Sequence, residues 1–166
     1  MYAIPYEAYE KYGIRRYGFH GTSHYYVSHQ AAEMLGKPYE ECKIITLHLG
    51  NGASMAAIKD GKVIETSMGF TPLEGLVMGT RSGDIDPAIV FTLMEKYGMD
   101  SQEANNYFNK KSGMLGLSGV SNDLRDVLEA AASGNERAQI ALDVYYKNIK
   151  GYIGKYFAYL NGCDCI

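Results

Sequence analysis

The chain has 166 residues, a formal net charge of −3 and a composition 46% hydrophobic and 21% charged, enough for a core that hides roughly 70% of the unfolded surface. That charge leaves no basic footprint, which argues against nucleic acid as a partner; no apolar run nears the ~20 residues that span a bilayer, and no signal-peptide pattern opens the chain. Cys42, Cys163 and Cys165 cannot pair completely, and Cys163-x-Cys165 is too tight for an ordinary disulfide or zinc knuckle, so a reducing cytoplasm is expected.

Taken in order, residues 6–13 read as a short helix closed by glycine, and 22–36 as a second, started at Gly21-Thr22-Ser23 and stopped by Gly36 and Pro38. Lys43–Leu49 is apolar and β-branched, a strand. Residues 54–59 and 62–66 flank Asp60-Gly61, the dipeptide suited to a type I′ hairpin, so three antiparallel strands in a row are expected. Residues 69–84 are glycine-rich and aperiodic. Asp86-Pro87 then supplies an N-cap and a proline at the first helical position. Helices are expected over 87–98, 101–112, 121–133 and 135–161. In the last, Gly151 and Gly154 suggest close packing against a neighbour. The closing residues 161–166 read as a helix stop and the opening of a strand, which suggests a piece of a longer protein. No repeat or linker divides the chain, so one domain is the simplest division. The 15 tyrosines and absence of tryptophan suit interfaces and wet clefts, or reflect compositional drift.

Three clusters set chemistry-bearing side chains among glycines: Gly18-Phe19-His20-Gly21-Thr22-Ser23-His24, His48-Leu49-Gly50-Asn51-Gly52 and Gly79-Thr80-Arg81-Ser82-Gly83-Asp84-Ile85-Asp86. Glycines let a ligand reach backbone N–H groups, which is how phosphate cradles are built. Arg81 offers a planar fork for phosphate or carboxylate, or is a surface arginine paired with Asp84 or Asp86. His20 and His48 are donors to a phosphoryl oxygen, or core imidazoles satisfied by backbone. His20-x3-His24 has a zinc-like spacing, but the glutamate of HExxH is missing and Gly21 starts the helix, so the two rings need not share a face.

Together these clusters resemble the acetate and propionate kinase family. The matching stretches are RRYGFHGTSH (15–24), HLGNGAS (48–54) and GFTPLEGLVMGTRSGDIDP (69–87). The chain is thereby identified as a central to C-terminal fragment of such a protein. The resemblance implies an α/β fold of the ribonuclease H-like class shared by sugar kinases and actin-like ATPases, with 1–166 as a partial, truncated C-terminal domain. It implies exchange of the ATP γ-phosphate with acetate or another short carboxylate, giving acetyl phosphate and ADP on the route to acetyl-CoA. Residue roles follow from the same likeness. His20 stabilises the phosphoryl group in flight; Arg81 binds the carboxylate and neutralises the transition state; Phe19 and Pro72 hold the acetate methyl. His48, Leu49, Gly50, Asn51 and Gly52 form the nucleotide-phosphate loop, and Asp123, Leu124 and Arg125 an adenosine-binding stretch, with Leu124 where an aromatic is usual. ATP or ADP and Mg²⁺ are the implied cofactors, with the metal's protein ligands outside this chain. A homodimer is implied as well.

The family's Asn-x-Gly-Ser-Ser-Ser and GIGEN motifs do not occur in this sequence, so the chain alone is expected to transfer phosphate near background. Two other readings stand beside this one: a non-catalytic dimerising fragment, and a metal-dependent hydrolase using His20, His24, Asp84 and Asp86.

Overall fold

Asp60 and Gly61 take φ of 53° and 69°, the two left-handed residues a type I′ turn needs. They close a hairpin between β2 (Ala53–Lys59) and β3 (Lys62–Thr66). The pair is antiparallel, with Lys59 opposite Lys62 and Ala56 opposite Thr66, and is irregular between Ala57 and Ile58. β1 (Lys43–Leu49) lies along the other side of β2, completing a three-stranded sheet ordered β1-β2-β3. Every residue from Ala53 to Ile58 is buried, as befits a strand covered on both faces. This computed structural model describes residues 1–166. The expected α/β class, with three consecutive strands followed by helices, is what it contains.

Two helices precede the sheet, α1 (Glu7–Tyr12) and α2 (Gly21–Leu35), each ended by a left-handed glycine. After it come α3 (Pro87–Tyr97), α4 (Ser101–Lys110), α5 (Gly113–Ser118), α6 (Leu124–Ala132) and α7 (Glu136–Leu160). Asp86 caps α3 through the N–H of Ala88 at 2.9 Å. Asp100 and Glu103 form a reciprocal capping box at α4. The helix expected from residue 121 begins at 124, because Asp123 is its N-cap and Ser121-Asn122 lie outside it. The close packing expected at Gly151 and Gly154 is not found within this chain: apart from the backbone of α7 itself, a Cβ at either would meet nothing within 4 Å.

By its contacts the chain forms two compact units. The first comprises residues 1–49, 54–75 and 151–166. There α2 packs on β1, and Ala32, Cys42, Ile44, Ala56 and Ile58 form the core. The strand opening expected at the end of the chain is present as an isolated parallel bridge between Ile44 and Cys165. The second unit comprises residues 50–53 and 76–150, and its core gathers Val77, Met114, Val127, Ala138, Leu142 and Tyr145. All three cysteines are free thiols.

Candidate functional site

In the first unit His20 caps α2 with its backbone in the left-handed region, φ 59°. Few residues adopt that conformation away from glycine and asparagine. It detaches the His20 ring from the register of the helix that follows. The ring stacks on that of His48, near the end of β1, with centroids 4.0 Å apart and planes 18° from parallel. His20 Nδ1 lies 2.8 Å from Ser54 Oγ on β2, and His48 Nδ1 lies 2.9 Å from Ser23 Oγ. Strand and helix thus hold two imidazoles face to face.

His24, one helical turn on, is only 3% exposed. Its Nδ1 lies 2.7 Å from Thr46 Oγ1 and its Nε2 lies 2.7 Å from Ser54 Oγ. Burial, helped by the neighbouring His20 and His48 rings, pushes its pKa down to about 4. His24 is therefore neutral at pH 7, with both ring nitrogens engaged by hydroxyls. No group of three or more His, Cys, Asp or Glu side chains is arranged to hold a metal ion.

Phe19 is 38% exposed and lines a cavity of about 340 Å³ with Tyr17, His24, Tyr25, Tyr39 and Val63. Pro72 is half-buried on the neighbouring 69–75 loop and is not part of that lining. The two segments are tied by the N–H groups of Tyr17 and Gly18, both donating to the Gly69 carbonyl at 3.0 and 3.3 Å. Arg16 steadies the same loop. Its Nη1 donates to the carbonyls of Thr66, Ser67 and Met68 at 3.1–3.2 Å, while its other nitrogens meet Glu65 and Glu74. Tyr2 also bonds Glu74, and burial together with that carboxylate lifts the Tyr2 phenol to about 12.

In the second unit the loop that follows β1 meets the loop of Arg81. Gly79 N–H donates to the Asn51 carbonyl at 3.0 Å, and Asn122 Nδ2 donates to Asn51 Oδ1 at 2.9 Å. A Cβ on Gly79 would lie 2.1 Å from Asn51 Oδ1 and 3.1 Å from the Asn122 carbonyl oxygen, so a side chain there would push the Asn51 amide out of its present place. Gly50 N–H closes the 50–52 turn on the Gly52 carbonyl at 3.1 Å. The Arg81 loop is held from beneath by α5: Met114 and Leu115 N–H donate to the carbonyls of Met78 and Gly79, both at 2.9 Å. Thus α5 caps its own first turn with distant carbonyls, and no sequence signal of a side-chain cap announces it. Arg81 Nη1 approaches Met78 Sδ at 3.8 Å.

Asp123 and Arg125 are joined to each other. The Asp123 carboxylate accepts from the Arg125 backbone N–H at 2.9 Å and from Nε at 3.0 Å, which holds its pKa down at about 2. Leu124 packs against the core of the second unit, leaving the polar pair outside. Leu49 and Asn51 are exposed, and His48 and Gly52 half-buried. Of the residues picked from the sequence, the structure joins His20 with His48, and Asn51 with the Arg81 loop. Asp84 lines a cavity of about 380 Å³ with Ser82, Tyr107 and Lys111, whereas Asp86 is engaged as a helix cap. The residues that sequence reasoning missed are Thr46, Ser54, Asn122 and Gly113. Each works through a partner at least 22 positions away or on another element, so no local motif marks them.

The family model described as "Acetokinase family" matches residues 1–166. An acetate kinase of Syntrophomonas wolfei is 84% identical over the whole chain, and one of Acetivibrio thermocellus 62%; in each case the match covers 42% of the relative. Among solved structures, acetate kinase of Porphyromonas gingivalis superposes with a TM-score of 0.97 at 54% identity, over 99% of this chain and 41% of that one. A propionate kinase of Francisella tularensis gives 0.93 at 48% identity, over 98% and 42%. The chain therefore spans about two-fifths of the length of the curated relatives it matches.

Proposed function

The chain belongs to the acetokinase family, and from that membership we propose that it carries the phosphoryl-facing part of an enzyme moving the γ-phosphate of ATP reversibly to acetate, with acetyl phosphate and ADP as products. The observation that carries the reading is the junction of the Asn51 turn with the Arg81 loop. A backbone hydrogen bond of 3.0 Å joins them at a glycine where a side chain would displace the Asn51 amide. A built-in close approach of that kind suits a turn meant to grip an anion beside a guanidinium.

In this reading the acetate carboxylate attacks the γ-phosphorus in line as the bond to the β-phosphate oxygen breaks and ADP departs. A carboxylate is already ionised near pH 7, with an ordinary pKa near 4, so no general base is needed. Phosphoryl transfer through a loose transition state asks for positioning and charge neutralisation. Arg81 supplies charge, His20 donates a hydrogen bond to an equatorial phosphoryl oxygen, and Phe19 and Pro72 face the methyl group. His48 and residues 49–52 hold the nucleotide phosphates, and Asp123, Leu124 and Arg125 the adenosine. No group of three or more His, Cys, Asp or Glu side chains gathers here to hold Mg²⁺, whose protein ligands this reading assigns to residues outside the chain; no step is routed through the metal. Phosphoryl transfer by this chain alone stays near background, because the metal's ligands are supplied by residues the chain does not contain.

Self-association and a cytoplasmic location complete the reading. α3 has no buried residue and leaves Phe91 71% exposed, and no helix is long and apolar enough to cross a membrane. Amide chemical shifts during ATP and acetyl phosphate titrations test the site. Movement confined to residues 19–20, 48–54, 71–73, 79–81 and 122–125 is expected; amides there that ignore both compounds at millimolar concentration would overturn the reading.

A further inference from the structure

The cluster beneath His20 holds more order than a pair of stacked rings requires. Thr46 Oγ1, His24, Ser54 Oγ and His20 form one continuous chain, with contacts of 2.7, 2.7 and 2.8 Å. Thr46 and Ser54 are 3% and 0% exposed. A hydroxyl has one proton to donate, and a neutral imidazole has one N–H and one bare nitrogen. Only two polarities satisfy such a chain. In one, protons run from His20 Nδ1 to Ser54, from Ser54 to His24 Nε2, and from His24 Nδ1 to Thr46. The Thr46 hydroxyl proton is then buried with no acceptor, at a cost of about 1–3 kcal/mol. In the other, Thr46 O–H donates to His24 Nδ1, His24 Nε2–H to Ser54 Oγ, and Ser54 O–H to His20 Nδ1. Every buried proton then has an acceptor.

We propose that His24, anchored by Thr46 and acting through Ser54, is a positioning residue that fixes the ring and the tautomer of His20, placing the His20 proton on Nε2. His20 Nδ1 is committed as an acceptor, so the ring can give a hydrogen bond only from its far side. The depressed His24 pKa agrees with this, because a neutral His24 is needed for it to accept from Thr46 and donate to Ser54 at once. For its catalytic meaning the inference rests on the proposed function, where His20 donates to a phosphoryl oxygen. Its geometry stands without that reading. It also accounts for His24 without a metal: the spacing that looked like a pair of ligands instead builds a second layer behind the first imidazole.

Long-range ¹H–¹⁵N correlation of the histidine-labelled chain tests this directly, each of the four histidines being identified through its glutamine variant. The expected wild-type spectrum shows His20 and His24 protonated at Nε2 and bare at Nδ1, with no detectable Nδ1–H form. Thr46→Val keeps the shape of the anchor and removes its proton. In that variant and in Ser54→Ala, the Nδ1–H form of His24 or His20 respectively is expected to rise to the minority share of an unconstrained imidazole, with His29 and His48 unmoved. A wild-type His20 protonated at Nδ1 would overturn the proposal, as would a His20 tautomer untouched by Ser54→Ala. If Ser54→Ala does not fold, an unaltered His24 tautomer in Thr46→Val overturns it instead. These readouts need no nucleotide, so amides that ignore ATP while the tautomers behave as stated refute only the phosphotransfer reading.

Discussion

Gly113 opens α5 with φ +60°, and a Cβ there would lie 2.2 Å from the Met78 carbonyl oxygen and 2.7 Å from that of Arg81. Gly113→Ala therefore carries two separable penalties. The left-handed backbone alone costs an alanine about 1–2 kcal/mol. To make room, the 78–81 loop must withdraw, and the bonds from Met114 and Leu115 to Met78 and Gly79, both 2.9 Å, stretch or break at about 1 kcal/mol each. The sum is about 3–4 kcal/mol, a large share of the ~5–15 kcal/mol that holds an ordinary domain together. For a chain of this size it corresponds to a fall in Tm of about 6–16 °C. Gly98 is the control, since it has φ +64° and a Cβ there would meet nothing within 4 Å. Gly98→Ala should lose only the backbone share, about 2–8 °C. Thermal unfolding followed by circular dichroism measures both. Equal losses in the two variants would refute the claim that α5 braces the Arg81 loop by contact.

Other expectations follow from the same geometry. With a folded pKa near 4 against an unfolded 6.5, His24 is neutral in both states above pH 6.5 and contributes nothing there. Between pH 6.5 and 4 the unfolded chain takes the proton and the folded one does not, so stability falls with pH by up to about 3 kcal/mol. Urea midpoints at pH 7 and pH 4.5 should therefore differ less in His24→Gln than in the wild type, and an unchanged difference would count against a buried neutral ring. Arg16→Met strands three carbonyls held at 3.1–3.2 Å and should cost about 2–3 kcal/mol, read from the urea midpoint; a loss below about 0.5 kcal/mol would show that water replaces the guanidinium without penalty. Asn122→Ala removes the donor to Asn51 Oδ1 and should weaken ATP binding roughly fivefold by calorimetry, the equivalent of about one hydrogen bond; unaltered affinity would mean that Asn51 orients itself.

The hairpin and the helix starts were legible because their determinants are adjacent in the chain. Asp60-Gly61 carries its own turn geometry, and Asp86-Pro87 its own cap. The helix expected over 121–133 was misplaced by three residues at its start for a related reason: Asp123 was counted inside an element that it terminates. α5 was missed because its first N–H groups are satisfied by Met78 and Gly79, some 35 positions upstream, and its six residues are too few to show a period. Gly151 and Gly154 misled in the opposite sense, since nothing in this chain presses on either. At the site, the motif glycines marked where the backbone is approached. The layer behind them stayed hidden. Thr46 and Ser54 look like ordinary strand residues until the fold sets them on either side of an imidazole 22 and 30 positions away.

The positive φ of His20 has an evolutionary reading. Glycine or asparagine would rest at that angle with less backbone strain, by about 1 kcal/mol for glycine. Against that gain stands the buried Ser54 hydroxyl, which would lose the acceptor 2.8 Å away on the His20 ring and so cost about 1–3 kcal/mol. Laboratory selections that reward heat tolerance should therefore keep this imidazole unless position 54 changes with it, so that the two residues vary as a pair.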